Sequence, residues 1–223
     1  MSDYSSFTEK GPVGVDGLTG PSGATGPAGA TGAAGSVSWV QDINEDGSSL
    51  TNWTQSAGSW TVVSGAFDCV SAANTRNMLR YTAQVPQAHL VWECEMKMFS
   101  GGGYGAGSQV GLIFSWDGTA GGGGMVILYS GGALNPSTTG LIYSEINTQV
   151  TGGAQVAHNF NLDQWYRMTL VVGLPVIDIY LDGQYQTTFG AFTTENALLY
   201  LSLYDYNCHG GFRNAKSWHL SLP

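Results

Sequence analysis

The sequence has few charges and no long hydrophobic run. Only 10% of its 223 residues are charged, with 7 Lys and Arg against 16 Asp and Glu, for a formal charge of −9. The basic residues are scattered along the chain, so no basic patch is expected to neutralise phosphates and nucleic acid is not a predicted partner. No apolar run approaches the ~20 residues that span a bilayer, and the first residues lack the charged and apolar regions of a signal peptide. We therefore expect neither membrane insertion nor export by a signal peptide.

Cysteine is also rare. Cys69, Cys94 and Cys208 are odd in number and show no C-x-x-C spacing. We expect small buried apolar residues rather than a disulfide framework or a zinc site. The four histidines are dispersed, the Cys208-His209 pair alone is a weak metal signal, and the loop acids lack EF-hand spacing. No metal and no cofactor are predicted.

Glycine, in contrast, is abundant, with 33 residues. Nine of them recur at every third position: eight begin G-X-Y triplets and a ninth follows the last triplet. They are Gly11, Gly14, Gly17, Gly20, Gly23, Gly26, Gly29, Gly32 and Gly35. Only glycine fits at the crowded axis of a collagen triple helix, and three chains are needed to build one. A flexible linker would not require an unbroken register, so we predict a collagen-like stalk over residues 11–35 and a homotrimer.

Residues 1–10 precede this stalk and are too short to fold alone. Tyr4 and Phe7 are candidate anchors of an attachment peptide, and a frayed terminus is the alternative interpretation.

From residue 36 to 223 the pattern changes to short alternating strands with glycine-rich turns, without a sustained helical period. This indicates an all-β head, an antiparallel two-sheet jelly-roll sandwich. The predicted strands are 59–64, 66–71, 77–83, 88–99, 109–117, 124–130, 139–147, 165–173, 175–182, 184–189, 197–206 and 212–222.

Alternation on three strands predicts a core face and a wetter face. Trp92, Cys94, Met96 and Met98 oppose Glu93, Glu95 and Lys97 in one strand. In the second strand Val110, Leu112, Phe114 and Trp116 oppose Gly111, Ile113, Ser115 and Asp117; in the third Leu199, Leu201 and Leu203 oppose Tyr200, Ser202, Tyr204 and Tyr206.

Several short motifs occur in a characteristic order. They are Trp53 followed by G-S-W-T-V-V-S-G-A-F at 58–67, V-G-L-I-F at 110–114, Q-W-Y-R-M-T-L at 164–170, I-D-I-Y-L-D-G at 177–183 and G-F-R-N-A at 211–215. Together they resemble the concanavalin A-like lectin/glucanase jelly roll, in particular its laminin-G-like and 3-keto-disaccharide-hydrolase-like branches. In that resemblance the last motif has arginine, Arg213, where aspartate is usual, and Asp182-Gly183 supplies a hairpin turn.

The resemblance covers lectins, glycosidases and inert spacers, so it implies a fold rather than an activity. Glucanases of this fold place three carboxylates on one strand face. The nearest match here is Glu93 and Glu95, but Lys97 stands at the third position, which favours a solvated or cross-strand-paired face. Because G-x-S-x-G, H-E-x-x-H and Walker motifs are also lacking, we predict that the protein is not an enzyme.

Sugars stack on aromatic rings and take hydrogen bonds from carboxylates and amides, so a shallow glycan site needs that mixture. The candidate glycan-binding residues form two groups, Tyr200, Tyr204, Asp205, Tyr206 and Asn207, and Tyr104, Trp116 and Asp117. A tyrosine-rich trimer interface and a rigid sheet surface are the alternatives.

A collagen-like stalk with a jelly-roll head also resembles phage fibres and adhesins. This organisation implies a virion surface fibre, made in the host cytoplasm, that docks to another virion protein through residues 1–10. The head would bind host surface glycan through three weak sites acting by avidity. A purely structural spacer fibre and a glycan depolymerase are the rival hypotheses.

Overall fold

The structure is a computed structural model of the full chain. It describes residues 37–72, 75–86, 89–100, 108–116, 124–130, 140–146, 149–150, 156–158, 160–173, 176–190 and 198–221. The predicted stalk at 11–35 and the predicted attachment peptide with Tyr4 and Phe7 lie outside these residues.

The described residues form seventeen strands and no helix, so none of them builds a helix that could cross a membrane. The strands are β1 (Ser38–Glu45), β2 (Trp53–Ala57), β3 (Trp60–Val63), β4 (Ala66–Val70), β5 (Arg76–Tyr81), β6 (Val85–Pro86), β7 (Leu90–Met98), β8 (Ser108–Trp116), β9 (Gly124–Ser130), β10 (Gly140–Ile146), β11 (Gln149–Val150), β12 (Val156–Ala157), β13 (Tyr166–Gly173), β14 (Val176–Leu181), β15 (Gln184–Phe189), β16 (Leu198–Tyr206) and β17 (His209–Ser221).

All twelve strands predicted from the sequence are present within a few residues of their expected bounds. Five strands are not predicted from the sequence: β1, β2 and the two-residue strands β6, β11 and β12. In β1 the apolar pair Trp39-Val40 is followed by Gln41 and Asp42, so the strand has no period-two alternation. A register shift between Gln41 and Ile43 is the physical reason, because a bulge interrupts the pleat.

The strands pair antiparallel into two sheets, which confirms the predicted sandwich. Sheet 1 has eight strands in the order β15-β14-β13-β7-β17-β4-β3, with β1 also on β17. Sheet 2 has nine, in the order β11-β10-β9-β8-β16-β5-β2, with β12 on β10 and β6 on β16. A Cβ added at Gly210 of sheet 1 would lie 3.0 Å from the Val110 side chain of sheet 2, so the two inner faces are in contact.

Alternation along β7 is complete and confirms the first predicted face. Leu90, Trp92, Cys94 and Met96 are fully buried, whereas Glu93, Glu95 and Lys97 are only partly buried on the opposite side. The three cysteines are free and buried as expected, because each of them packs in the interior.

The predicted wet faces of β8 and β16 are wrong in part. Ile113 is 1% exposed, although it was expected opposite the core face of β8. Ser202 and Tyr204, expected on the wetter face of β16, are 0% and 1% exposed. These two strands are central in sheet 2 and are buried on both faces here. Alternation along the strand therefore does not distinguish core-facing from solvent-facing side chains.

Candidate functional site

The outer face of sheet 1, which points away from sheet 2, carries most of the basic residues of the protein. Four of the seven Lys and Arg residues lie on it, Lys97 on β7, Arg167 on β13, and Arg213 and Lys216 on β17. Strand pairing aligns them with acids, because Glu95 lies opposite Arg167 on one side and Arg213 on the other. These basic residues are distant in sequence but neighbours in the sheet, where acidic residues lie between them.

A β-bulge in β17 places Arg213 and Lys216 on the same face. The pairing of β17 with β7 shifts between these two residues, and Asn214 within the shift has a positive φ of 53°. Without an irregularity, residues three apart would point to opposite faces of a strand. The bulge thus adds a second basic residue to the outer face.

An open cleft of about 240 Å³ lies among these side chains. We call it the Trp165 cleft, and it is lined by Glu95, Trp165, Arg167, Asp182 and Arg213. Its lining combines an indole ring with two guanidinium groups and two carboxylates, contributed by β7, β17 and the end of the β13–β14 pair at which β13 begins and β14 ends.

Arg213 is fixed by two contacts in this cleft. Its Nε donates to Glu95 Oε2 at 2.6 Å, and its guanidinium lies 4.2 Å from the centre of the Trp165 ring. The Arg213 and Glu95 side chains are 39% and 26% exposed, so the ion pair contributes at most about 1 kcal/mol to stability. Its main effect is orientation, since the guanidinium plane is held against the indole.

Lys97 and Phe99 extend the aromatic and cationic surface beyond Trp165. The Lys97 ammonium lies 4.0 Å from the centre of the Phe99 ring and 4.6 Å from that of Trp165. Phe99 in turn stacks on His209, with centroids 4.2 Å apart. A Cβ at Gly211 would lie 2.8 Å from the Phe99 ring and 3.4 Å from Trp165, so the glycine provides the space in which both rings lie on the sheet.

Arg167 is the exposed cation of the cleft. The Asp182 carboxylate accepts from its backbone N–H at 2.8 Å, and the Asp182 N–H donates back to its carbonyl. Among the described residues no side chain forms a hydrogen bond or ion pair with the Arg167 guanidinium. Its five N–H donors are therefore free for a ligand, and they match a planar carboxylate.

A second cleft of about 420 Å³ lies near the β17 bulge. It is lined by Asn44, Glu45, Asp46, Asn214 and Lys216. Its lining comes from β1, the loop after β1 and β17, so β17 is the strand that contributes to both clefts.

Glu93 and Glu95 both have cross-strand partners. Glu93 Oε2 accepts from Thr169 Oγ1 at 2.9 Å, and Glu95 pairs with Arg213. This confirms the cross-strand-paired face that the sequence predicts for the two carboxylates.

The predicted glycan site on β16 lies largely in the interior. Tyr204, Asp205 and Asn207 are 1%, 0% and 5% exposed, so they cannot form the shallow solvent-facing platform that was expected. Tyr200 is half-buried beneath the Arg80 guanidinium at 4.1 Å, and Tyr206 is half-buried. Of the second predicted group, Tyr104 and Asp117 and the side chain of Trp116 lie outside the described residues.

Asp205 belongs to a buried polar network between the sheets. Its Oδ1 accepts from Ser71 Oγ and from Asn77 Nδ2, and its Oδ2 accepts from Cys208 Sγ at 3.0 Å. Burial raises the pKa of Asp205 to about 6, and these three donors partly offset the effect. Cys208 therefore points inward, whereas His209 points outward to Asp68 at 2.7 Å, so this Cys-His pair does not converge on one point. No group of three metal-ligating side chains occurs in the described part of the chain.

Four of the five residues that line the Trp165 cleft lie inside the quoted motifs, but none of these four is among the candidate site residues predicted from the sequence. Trp165 and Arg167 lie in the Q-W-Y-R motif, Asp182 in the hairpin motif, and Arg213 where the resemblance expects aspartate. The arginine in place of the usual aspartate is the signal that the sequence offers for this cleft. An arginine on a strand that lies opposite Glu95 has a cross-strand partner.

Fold and site together define a β-sandwich domain with a polar, aromatic cleft on one outer sheet face. A model of the 3-keto-alpha-glucoside-1,2-lyase-like domain matches residues 38–216, and the chain belongs to this family. No curated protein matches the sequence at a significant level.

Solved structures with the same fold include carbohydrate-binding proteins. The carbohydrate-binding module CBM66 from Bacillus subtilis is 16% identical, with a TM-score of 0.60 over 75% of this chain and 95% of that one. A Lotus tetragonolobus seed lectin is 12% identical, with a TM-score of 0.62 over 82% and 99%. A Bacillus subtilis protein of unknown function with a galectin-like fold is 10% identical, with a TM-score of 0.57 over 81% and 96%. At these identities the likeness concerns the fold alone.

Proposed function

We propose that the head binds glycans at the Trp165 cleft without cleaving them, as the distal part of a trimeric virion fibre. The observation that carries the proposal is the cleft itself, in which an indole, two guanidinium groups and two carboxylates converge on one open face. Sugar sites combine an aromatic surface with a few directed polar groups, and this set meets that requirement. The lectin and carbohydrate-binding module with the same fold support the choice of ligand class.

Arg167 narrows the ligand class further. A neutral sugar takes single hydrogen bonds from a guanidinium, whereas a carboxylate accepts two in parallel. Because Arg167 has no acidic partner among the described side chains, we expect acidic glycans to bind more tightly than neutral ones of the same length.

Variants in the cleft test this site. We expect Trp165→Ala and Arg213→Ala to weaken glycan binding by at least about tenfold, since each removes a half-buried group that orients the other. A glycan array identifies the ligand, and isothermal titration of the full chain measures the affinities. Tyr185→Ala is the matched control, because this aromatic is 58% exposed on β15 and outside the cleft.

Two results would contradict the proposal. If the wild-type protein binds neither acidic nor neutral host polysaccharides, the glycan-binding hypothesis is wrong and a spacer fibre is favoured. Release of reducing ends that disappears in Glu93→Gln or Glu95→Gln would favour a glycan depolymerase, the alternative that the lyase-like family name and the two neighbouring carboxylates support.

The fibre organisation rests on the sequence. Nine glycines in third-residue register support a collagen-like stalk and a homotrimer, and residues 1–10 would dock to another virion protein. Light scattering on the full protein should give the mass of three 23.5 kDa chains, and the mass of one chain would overturn the trimer.

A further inference from the structure

The first residues of the described head form an exposed apolar strand. Val37, Trp39 and Val40 are 56%, 53% and 42% exposed, and we call these three residues the β1 patch. Trp39 lies opposite Leu220 and Val40 opposite His219 in β17. Successive side chains of a strand point to opposite faces, so β1 presents apolar groups to solvent on both sides.

Single exposed apolar residues are ordinary on protein surfaces, but three within four positions are not. The segment 37–41 reads V-S-W-V-Q and carries no charge. The next residue, Asp42, is already paired with His219 at 2.9 Å. Copies of this segment can therefore approach each other without bringing unpaired like charges together. The cores of protein interfaces contain few charged residues, and this segment meets that requirement.

The position of the β1 patch in the sequence indicates what packs against it. Gly35 is the last glycine of the G-X-Y register, and Val37 follows two residues later. Two residues span at most about 7 Å, so a triple helix that ends at Gly35 keeps the Val37 residues of three chains close to one axis. No other exposed apolar residue among those described is so close in sequence to the register.

We propose that the β1 patches of three copies of this chain pack together about the three-fold axis and hold the heads as a trimer. The proposal rests on the homotrimer proposed above and adds the contact that forms it. A collagen helix of eight triplets with three prolines would be short, so a contact between heads would add to its stability and keep the three chains in register. The Trp165 cleft is lined by other residues, so the proposed contact does not use it.

Substitution of Trp39 tests the contact. In the full chain, Trp39→Lys should raise the concentration at which trimers dissociate at least tenfold in sedimentation velocity, and it should lower the melting temperature of the collagen signal in circular dichroism. Trp39→Phe should retain most of the association because it remains apolar. Val70→Lys is the control, since Val70 is 63% exposed on β4 and lies far from the stalk in sequence. If the Trp39→Lys trimer dissociates no more readily than the Val70→Lys trimer, the proposed contact is wrong.

Cross-linking provides a second test that does not depend on stability. The three native thiols are buried and burial raises the pKa of each, so they react slowly. Ser38→Cys places an exposed thiol within the patch, and mild oxidation should link two chains of each trimer on a non-reducing gel. Gln184→Cys, exposed on β15, should give no link.

The outcomes separate the two proposals. A three-chain mass without a Ser38→Cys link rejects the patch and leaves the trimer standing. A one-chain mass for the wild type rejects the trimer and the patch together. A wild-type mass larger than three chains would mean that the free edge of β1 pairs in an open series, which also rejects the closed contact.

Discussion

Gly47→Ala should lower the free energy of unfolding of the head by about 2–4 kcal/mol, from backbone strain and overpacking combined. Gly47 follows β1 and is buried with a φ of +99°, a conformation that glycine adopts without penalty. An added Cβ would lie 2.8 Å from the Gly65 carbonyl oxygen, 3.1 Å from the Ala66 Cα and 3.3 Å from the Arg213 Cα. All three are backbone atoms, which cannot rotate away.

Gly65→Ala is the matched comparison for this prediction. Gly65 also has a positive φ, of +75°, but a Cβ there would meet nothing within 4 Å. We expect this variant to cost about 1 kcal/mol, the conformational penalty alone. Urea unfolding of both variants measures the difference. Equal losses of unfolding free energy in the two variants would show that the backbone around Gly47 accommodates the added Cβ at no cost.

The Gly47 contact also connects the fold to the cleft. An added Cβ at Gly47 would lie very close to the Arg213 Cα. We therefore expect folded Gly47→Ala protein to bind glycan more weakly than folded Gly65→Ala protein. Weaker glycan binding by Gly47→Ala than by Gly65→Ala would show that the loop after β1 supports the position of the Arg213 guanidinium.

Most strands could be predicted because their signal is local. β7 alternates without interruption, and the Asp182-Gly183 turn has both residues at positive φ, as a two-residue hairpin requires. β1 could not be predicted in the same way. Its first four residues are exposed and its pleat is broken by a bulge, so its existence depends on pairing with β17, which lies at the other end of the head sequence.

The cleft could not be predicted for a related reason. Glu95 and Arg213 are separated by 118 positions, and only the neighbouring arrangement of β7 and β17 brings them together. The bulge at Asn214 then decides which side chains face outward. In contrast, the aromatic and polar run at 204–207 resembled a sugar site in sequence, but central placement of β16 in sheet 2 buries most of it.

Asp205→Asn should change how the stability of the head depends on pH. The pKa of Asp205 is about 6 in the folded protein, against about 3.9 for an aspartate in an unfolded chain. Between these values the folded state holds a proton that the unfolded state has released, so this group makes the protein less stable as pH rises from about 4 to about 6. The loss is about 2–3 kcal/mol, at 1.36 kcal/mol for each pKa unit, and it is complete above about pH 7.

Asparagine can replace this aspartate within the same network. Its Oδ1 can accept from Ser71 and Asn77 as the carboxylate does, and its Nδ2 can donate toward the Cys208 sulfur. The variant carries no charge to desolvate. The difference in unfolding free energy, Asp205→Asn minus wild type, should therefore rise by about 2–3 kcal/mol between pH 4 and pH 8.

Urea unfolding at a series of pH values measures this difference, and other titrating groups cancel because both proteins contain them. Ser71→Ala gives an independent check. The Ser71 hydroxyl stabilises the charged carboxylate, so its removal should raise the pKa of Asp205 further and move the pH-dependent loss to higher pH. A difference between Asp205→Asn and wild type that stays flat from pH 4 to pH 8 would mean that the hydrogen bonds of Ser71, Asn77 and Cys208 fully compensate the burial of the charge.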